Sequence, residues 1–303
     1  MLTPVSHTLL VNPRAGGSTI SVAAAARSAL EEAGCTVHVA LSEGMRETRQ
    51  AVDEACSRGD VLVAVGGDGT VASAAGLVAE RDGVLGLVPS GRGNDFARML
   101  GIPDHARGAV DVLLRGQAER VDLIAATLPG EATRLVVGSV YSGVDAHAVE
   151  LVEQMRWLPT FLQYPVSAVR SLASYTPVEV EVVVDGVTHC FGAATVVIAN
   201  SAYYGSGMQI APDASVTDGL LDVVVVSASS RRSLISAMPT IYSGRHVLRD
   251  DVAVLRGRVV EIRGTPRVPM GADGEPLGQL PARDAEAARV EVRPSALQVI
   301  TPA

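Results

Sequence analysis

The chain of 303 residues contains no lysine, and all 25 of its basic residues are arginine. This absence excludes sites that need a lysine side chain, such as the phosphate-binding lysine of a P-loop or a lysine Schiff base. A cationic contact to phosphate must therefore come from arginine or from a metal ion. The formal net charge is −8 and there is no dense basic run, so we expect no nucleic-acid-binding surface.

Aromatic residues and cysteines are also scarce. Aromatics make up 3% of the chain and hydrophobic residues 48%, so the core must be built from Val, Leu, Ile and Ala. Cys35, Cys56 and Cys190 have the spacing of neither a zinc site nor a disulfide framework, which predicts buried or partly buried thiols in a reducing cytoplasm. The first residues lack the pattern of a secretory signal, and we expect a cytoplasmic protein.

The order of strand and helix patterns predicts two domains. In residues 1–122, short apolar strands alternate with helical stretches, which is typical of an α/β domain with a parallel sheet. Residues 123–303 carry longer strand patterns and are predicted to form a mostly β, sandwich-like domain. A helical insert near residues 146–174 interrupts this second domain, and the last residues can return to the first.

A glycine-rich segment, residues 66–70, follows a buried apolar strand and precedes a helix. Glycines let backbone N–H groups approach an anion, and a helix N-terminus favours phosphate. Asp68 would repel a bare phosphate, but it suits a site in which Mg²⁺ lies between the two. The alternative is a tight turn in which Asp68 only caps the helix.

Two further loops occupy equivalent places, since residues 12–17 follow the first strand and residues 89–96 follow the fourth. All three loops are expected along one edge of the parallel sheet, where ligands of such sheets bind. The first loop lacks the dinucleotide-binding glycine pattern, and the P-loop lysine is absent. We therefore predict a nucleotide site of another type.

With these loops, the chain resembles the diacylglycerol kinase catalytic family, which includes bacterial lipid kinases and sphingosine kinases. The resemblance covers essentially the whole chain and rests on Asn12-Pro13-x-x-Gly16, Gly66-Gly67-Asp68-Gly69-Thr70, Pro89-x-Gly91-x-x-Asn94-Asp95-Phe96, Asn200-x-x-Tyr203-Tyr204-Gly205-x-Gly207-Met208, Ala211-Pro212-x-Ala214, Asp218-Gly219-x-Leu221 and Asp273-Gly274-Glu275. The glycine segment alone would also fit NAD kinases and phosphofructokinases. The resemblance implies a first domain of the NAD kinase and phosphofructokinase type.

The resemblance implies that ATP and Mg²⁺ are the cofactors. The implied nucleotide-binding residues are Asn12, Pro13, Arg14, Ala15, Gly16, Ser42, Gly66, Gly67, Asp68, Gly69, Thr70, Val71, Ala72, Gly91, Arg92 and Asn94. Arg92 stands where the family commonly has threonine. An arginine there can reach a phosphate directly or can be a solvated side chain beside the site.

The resemblance also implies the catalytic groups. Asp68, Asp95 and Asp122 correspond to acidic positions around the catalytic Mg²⁺, and clustered carboxylates themselves favour a bound cation. Asp122 can instead cap a strand end. Glu275 corresponds to the residue that accepts the proton of the lipid hydroxyl, although Asp-Gly-Glu can be a plain hairpin turn.

A second, structural Mg²⁺ site is implied at the side chain of Asp218 and the main-chain oxygens of Ser215 and Leu220. Carboxylate and carbonyl oxygens suit such a hard cation. Without the resemblance, the same segment is an ordinary turn before a strand.

The resulting hypothesis is a lipid kinase that transfers the γ-phosphate of ATP to a lipid alcohol, with diacylglycerol as the expected acceptor. The alternatives are a kinase of a soluble small molecule and a non-catalytic nucleotide- or lipid-binding regulator. The insert carries Trp157 and Phe161, which can guide acyl chains and give transient peripheral membrane contact, or can pack in the core. A homodimer is left open.

Overall fold

The structure is a computed structural model that describes residues 6–13, 17–144, 146, 177–227 and 231–303. Its contacts divide the chain into two compact units. The first unit comprises Met1–Leu123, Gly205–Gly207 and Pro294–Ala303, and the second comprises Ile124–Tyr204 and Met208–Arg293. Most of the predicted helical insert, including Trp157 and Phe161, lies outside the described residues.

The first unit alternates strands and helices along the chain. Its elements are β1 (Ser6–Val11), α1 (Gly17–Glu32), β2 (Thr36–Leu41), α2 (Met45–Arg58), β3 (Val61–Gly66), α3 (Asp68–Ala79), β4 (Val84–Pro89), α4 (Asp95–Met99) and α5 (Ala106–Arg115). β5 (Gln117–Thr127) begins in this unit and ends in the second, and β15 (Ala288–Thr301) begins in the second unit and ends in the first.

The first unit is built on a parallel sheet in the order β15–β4–β3–β1–β2. β3 and β4 are apolar, β1 ends in three apolar residues, and all three strands are buried beyond their first residue, as expected of strands covered by helices on both faces. The strands end in register, since Val11 lies opposite Leu41 and Val65, and Gly66 lies opposite Pro89. This register brings the loops after β1 to β4 to one edge of the sheet.

The second unit is mostly antiparallel β-structure. After the end of β5 it contains β6 (Arg134–Val136), β7 (Ser139–Gly143), β8 (Val178–Val184), β9 (Val187–Ala199), β10 (Leu221–Ser227), α6 (Arg231–Ile241), a 3₁₀ helix (Arg245–Leu248), β11 (Val252–Gly257), β12 (Val259–Thr265), β13 (Pro269–Ala272), β14 (Glu275–Gln279) and the start of β15.

The long strand β9 organises this second unit. Its first half pairs with β8, and its second half pairs with β7 and with β10. Its last seven residues are all buried, and alternate valines of β8 and β10 pack into the same apolar cluster. Val, Leu, Ile and Ala supply most of this core, as the low aromatic content predicts.

The predicted fold class is confirmed, since an α/β unit with a parallel sheet is followed by a mostly β unit. In the described parts of the chain, no helix is both long enough and apolar enough to cross a membrane.

Candidate active site

Two glycine-bearing loops meet at the edge where β3 and β4 end. The Ser90 N–H donates to the Gly66 carbonyl over 2.9 Å, which continues the pairing of the strands into the loops. A Cβ on Gly91 would lie 2.4 Å from Cα of Gly67, and one on Gly67 would lie 3.0 Å from Cα of Gly91. Glycine is therefore required at Gly91 for the backbones to approach this closely.

Asp68 is the first residue of α3 and links this helix to the loop after β4. Its Oδ1 accepts the Asp95 N–H at 2.6 Å and the Phe96 N–H at 3.4 Å. A Cβ on Gly93 would lie 2.6 Å from Oδ2 of Asp68 and 3.4 Å from Oδ2 of Asp95. The two carboxylates therefore flank the same small space beside Gly93, and Asp68 Oδ1 is the oxygen that holds the loop after β4.

Asp95 is buried and anchors a third segment of the first unit. Its carboxylate oxygens accept the N–H groups of Ser206 at 2.8 Å and Gly207 at 2.7 Å. Burial raises the pKa of Asp95, the two N–H donors oppose that rise, and the nearby Asp68 carboxylate adds to it. This raised pKa reflects the cost of keeping Asp95 charged in a buried position beside Asp68, which a bound cation would offset.

Some predicted nucleotide-binding side chains already have partners in their own loops. Asn94, with φ of 52°, accepts the Gly91 N–H through Oδ1 and donates to the Gly91 carbonyl through Nδ2. Ser42 is buried and bonds to the Thr48 hydroxyl and the Gly44 carbonyl at the start of α2. These bonds shape the loops, and the nucleotide contacts of both residues remain predictions.

The other predicted nucleotide residues that the structure describes lie around the same edge. Asn12 and Pro13 follow β1, while Arg14, Ala15 and Gly16 lie outside the described residues. Gly66 ends β3, and Gly69, Thr70, Val71 and Ala72 form the first turns of α3, where Val71 is buried in the core. Arg92 is exposed on the loop before α4.

Arg98 is a candidate that the sequence analysis missed. It lies one turn after Asp95 on α4, and its Nη2 donates to the Gly93 carbonyl over 3.4 Å. Its guanidinium also lies 3.6 Å from the position of a Cβ on Gly207. The sequence did contain an indication of this role. The chain has no lysine, and Arg98 comes three residues after Asp95, a predicted metal-binding acid.

Asp122 has a different set of contacts. It is buried in the middle of β5, and its Oδ1 accepts the N–H of Ser295 at 2.7 Å. Ser295 has a φ of 53° within β15, so the carboxylate stabilises an unusual backbone conformation. This contact gives Asp122 a structural role at the sheet, and its participation in catalysis remains a prediction.

Glu275 is in the second unit, where it begins β14 after a two-residue hairpin turn. The central residues Asp273 and Gly274 both have positive φ, 48° and 84°, as a type I′ turn requires. The Glu275 side chain is 55% exposed, and its Oε2 is 2.6 Å from Nη2 of Arg134. The carboxylate is therefore accessible and oriented by an arginine.

The hairpin that carries Glu275 is anchored by Asp273. Its carboxylate accepts the N–H groups of Val137, Gly138 and Ser139 at 2.8–3.2 Å. The hydroxyl of Tyr141 also accepts the Gly274 N–H at 3.0 Å. Burial raises the pKa of Asp273, and the three N–H donors counteract that rise. The sequence analysis quoted Asp273 only as part of a motif.

The glycine-loop residues fit a catalytic Mg²⁺. Asp68 and Asp95 present carboxylate oxygens, the ligands that Mg²⁺ prefers, to the same space beside Gly93. No cluster of three or more metal-ligating side chains occurs in the described part of the chain. Mg²⁺ that arrives with a nucleotide needs only one or two carboxylates, because phosphates and water complete its shell.

The predicted structural Mg²⁺ site of the second unit does not fit. Asp218 Oδ2 lies 2.5 Å from Nη2 of Arg256, and its Oδ1 accepts the Leu220 N–H at 3.0 Å. The Ser215 hydroxyl bonds to that of Thr217 at 3.2 Å. Both carboxylate oxygens are thus engaged, one of them by a cation of the chain itself.

Comparison with known families identifies the chain. Residues 6–126 match the family described as diacylglycerol kinase catalytic domain, and residues 138–301 match the YegS C-terminal NAD kinase beta sandwich-like domain. The chain therefore belongs to the diacylglycerol kinase family of lipid kinases. The predicted family and the predicted lipid kinase activity are both confirmed, and use of a nucleotide follows from this membership.

Individual relatives agree with this assignment. The chain is 30% identical to a diacylglycerol kinase of Mycobacterium tuberculosis, over 97% of this chain and 94% of the relative. It is 26% identical to a probable lipid kinase YegS of Salmonella heidelberg, over 90% of this chain and 89% of the relative. A solved putative diacylglycerol kinase from Bacillus anthracis shares the fold, with a TM-score of 0.75, 21% identity and coverage of 98% of this chain and 97% of that one.

Proposed function

We propose that this lipid kinase transfers the γ-phosphate of ATP, with Mg²⁺, to the hydroxyl of diacylglycerol and so produces phosphatidic acid. The observation that carries the proposal is the pair of carboxylates, Asp68 and Asp95, which face one space beside Gly93 at the edge of the parallel sheet. Phosphoryl transfer depends mainly on positioning and charge neutralisation, and such a pair serves both.

The backbone around β3 and β4 would hold the ATP phosphates. The first N–H groups of a helix have no partner within the helix, and α3 begins at Asp68 directly beside the contact of Gly67 with Gly91. Arg92 and Arg98 are the cations of the adjoining loop and helix α4. Because the chain has no lysine, these arginines would neutralise phosphate charge.

The Mg²⁺ would neutralise the phosphate oxygens and the two carboxylates together. Oδ2 of Asp68 would be the direct contact to the ion or to its water, because Oδ1 already accepts the Asp95 N–H. Asp95 would supply negative charge beside the ion, and its bonds to Ser206 and Gly207 would fix its position. The raised pKa of Asp95 would return towards its ordinary value when the cation binds.

Glu275 would accept the proton of the lipid hydroxyl as that oxygen attacks the γ-phosphorus. Its exposure leaves the carboxylate open to a substrate, while Arg134 and the anchored hairpin limit its movement. Proton transfer of this kind contributes about 10²–10⁴-fold to a rate. Loss of Glu275 should therefore slow the reaction by a factor within about this range.

Diacylglycerol is proposed as the acceptor because the Mycobacterium tuberculosis relative, matched along nearly the whole chain, is named for that substrate. The relative named probable lipid kinase leaves other lipid alcohols as alternatives. Because diacylglycerol resides in membranes, we also propose that this kinase is cytoplasmic and makes transient peripheral contact with a membrane. Trp157 and Phe161, which the sequence suggested for that contact, lie outside the described residues.

The test is phosphorylation of a defined lipid panel. The protein is incubated with γ-labelled ATP, Mg²⁺ and mixed micelles that contain one acceptor each: diacylglycerol, monoacylglycerol, a sphingoid base or a polyprenol. We expect labelled phosphatidic acid as the main product, with at least about tenfold lower rates for the others.

Efficient labelling of another lipid without labelling of diacylglycerol would contradict the proposed substrate and leave the kinase assignment intact. ATP hydrolysis without any labelled lipid from this panel or from a total lipid extract would contradict the proposed reaction itself.

A further inference from the structure

A compact charged cluster in the second unit joins the turn before β10 to strand β11. Asp222 lies opposite Arg256 in the antiparallel register of β10 and β11. Arg256 Nη2 is 2.5 Å from Asp218 Oδ2, and its Nε is 3.2 Å from Asp222 Oδ1. One guanidinium therefore bridges two carboxylates that are four positions apart in sequence.

The buried member of this cluster needs a positive partner. The Asp222 side chain is 4% exposed, and a buried carboxylate is unfavourable unless it is paired and hydrogen-bonded. Burial raises the pKa of Asp222, Arg256 lowers it, and the carboxylates of Asp218 and Asp213 raise it further. Without Arg256, the turn would hold the adjacent carboxylates of Asp213, Asp218 and Asp222 and would lose the cation that lowers the pKa of Asp222.

The geometry leaves little room for a second cation at Asp218. Its Oδ1 is committed to the Leu220 N–H, which closes the turn, and its Oδ2 is committed to Arg256. A divalent ion on this carboxylate would lie next to the guanidinium, and the two positive charges would repel each other. The planar guanidinium also presents several donors at fixed angles, which suits it to bridging two acids.

We propose that Arg256 is an internal replacement for the structural cation that the family resemblance assigns to Asp218, so that the second unit binds no divalent ion there. The Arg256 side chain links the turn at residues 218–222 to β11, in the way that an ion shared by several ligands would link those ligands. This inference goes beyond the proposed function, and it concerns folding stability in the absence of ATP and lipid. If ATP is the phosphate donor, the divalent ion required by the kinase is then the one bound with the nucleotide.

The test measures thermal unfolding of the full chain without nucleotide, in EDTA and then in increasing Mg²⁺ or Ca²⁺. We expect the wild-type midpoint to be unchanged by either ion. Arg256→Gln should unfold several degrees lower in EDTA, because it leaves Asp218 and Asp222 without their shared partner, and Mg²⁺ or Ca²⁺ should recover part of that loss. Arg256→Gln combined with Asp218→Asn should show no recovery.

Arg258→Gln is the matched control, because it removes the same charge from an exposed position two residues away. It should show neither the loss nor the ion-dependent recovery. The proposal is overturned if Mg²⁺ raises the wild-type midpoint and Asp218→Asn abolishes that rise. It is also overturned if the Arg256→Gln protein folds but neither Mg²⁺ nor Ca²⁺ changes its unfolding midpoint, since Arg256 would then not stand in the place of an ion. Neither readout uses kinase activity, so failure here leaves the proposed reaction untouched.

Discussion

At the scale of single residues, Gly91 is the most constrained position of the candidate active site. A side chain at Gly91 would meet the backbone of Gly67 at 2.4 Å, and backbone cannot move aside as a flexible side chain can. Gly91→Ala should therefore separate the two loops and lower kcat/KM for ATP by about 10²-fold, as misplacement by an ångström does elsewhere. Steady-state kinetics with varied ATP would measure this.

Gly44→Ala is the control for this prediction. Gly44 has an extended φ of −175°, and its added Cβ would meet only the carboxylate end of Glu47, at 3.4 Å. We expect kinetics within about twofold of wild type and a loss of folding stability of about 1 kcal/mol, because Gly44 is the N-cap of α2 and alanine is a poorer cap. Equal activity of Gly91→Ala and Gly44→Ala would show that the contact of the two loops is not needed for catalysis.

The roles of individual side chains were only partly predictable from the sequence. Asp68, Asp95 and Asp122 were predicted together from the family resemblance; in the structure Asp68 and Asp95 flank the space beside Gly93, while Asp122 bonds to Ser295. The partner of Asp218 could not be predicted, because Arg256 is 38 positions away and meets it only through the pairing of β10 with β11. Arg98 was missed for a similar reason, since its contact with residues 205–207 depends on tertiary structure.

At the scale of the element, β9 carries the core of the second unit. Ile198 is 1% exposed and packs in the apolar cluster between β9 and its neighbours. Ile198→Ala should lower the free energy of unfolding by about 2–5 kcal/mol, because it removes buried methyl groups and leaves a cavity. Denaturant unfolding, with the transition followed by circular dichroism, would measure the difference.

Val187→Ala, in the same strand, provides the comparison. Val187 is 59% exposed, so its truncation should change the free energy of unfolding by less than about 0.5 kcal/mol. A cost at Val187 equal to that at Ile198 would contradict the burial pattern of β9.

The elements themselves were largely predictable. Continuous apolar runs identified β3 and β4, because strands covered on both faces lack polar alternation. A short strand pattern identified β1. The hairpin at Asp273 and Gly274 was predicted as a turn from its Asp-Gly sequence. Its anchor was not predicted, because Asp273 accepts N–H groups from residues 137–139, about 135 positions earlier.

At the scale of the whole molecule, stability should depend on pH through His246. This residue is 1% exposed, and Nε2 lies 2.9 Å from the Ile210 carbonyl, so the neutral ring donates from Nε2. Burial lowers the pKa of His246 below 6.5, although the bond to Ile210 opposes this. Below pH 6.5 the His246 ring takes up a proton in the unfolded chain, whereas burial keeps it neutral to lower pH in the folded chain. Folding stability therefore falls as pH falls.

The size of this effect is bounded by one proton, which is about 1.4 kcal/mol per pH unit. Unfolding measured from pH 7.5 down to 5 should lose less stability in His246→Gln, which keeps an N–H donor for Ile210, than in wild type. His38→Gln, at an exposed histidine, should follow the wild-type curve. Parallel curves for wild type and His246→Gln would exclude His246 as the source of the pH dependence.

The central claim is that the carboxylate of Asp68, at the edge of the parallel sheet, supports phosphate transfer from ATP to diacylglycerol. Asp68→Asn retains an oxygen that can accept the Asp95 N–H, so the fold should persist while the contact to the cation is lost. The most direct measurement is transfer of label from γ-labelled ATP to diacylglycerol by wild type and by Asp68→Asn, with thermal unfolding of both. We expect phosphatidic acid from wild type, at least about 10²-fold less from the variant, and closely similar unfolding midpoints. Undiminished transfer by a folded Asp68→Asn protein would contradict the central claim.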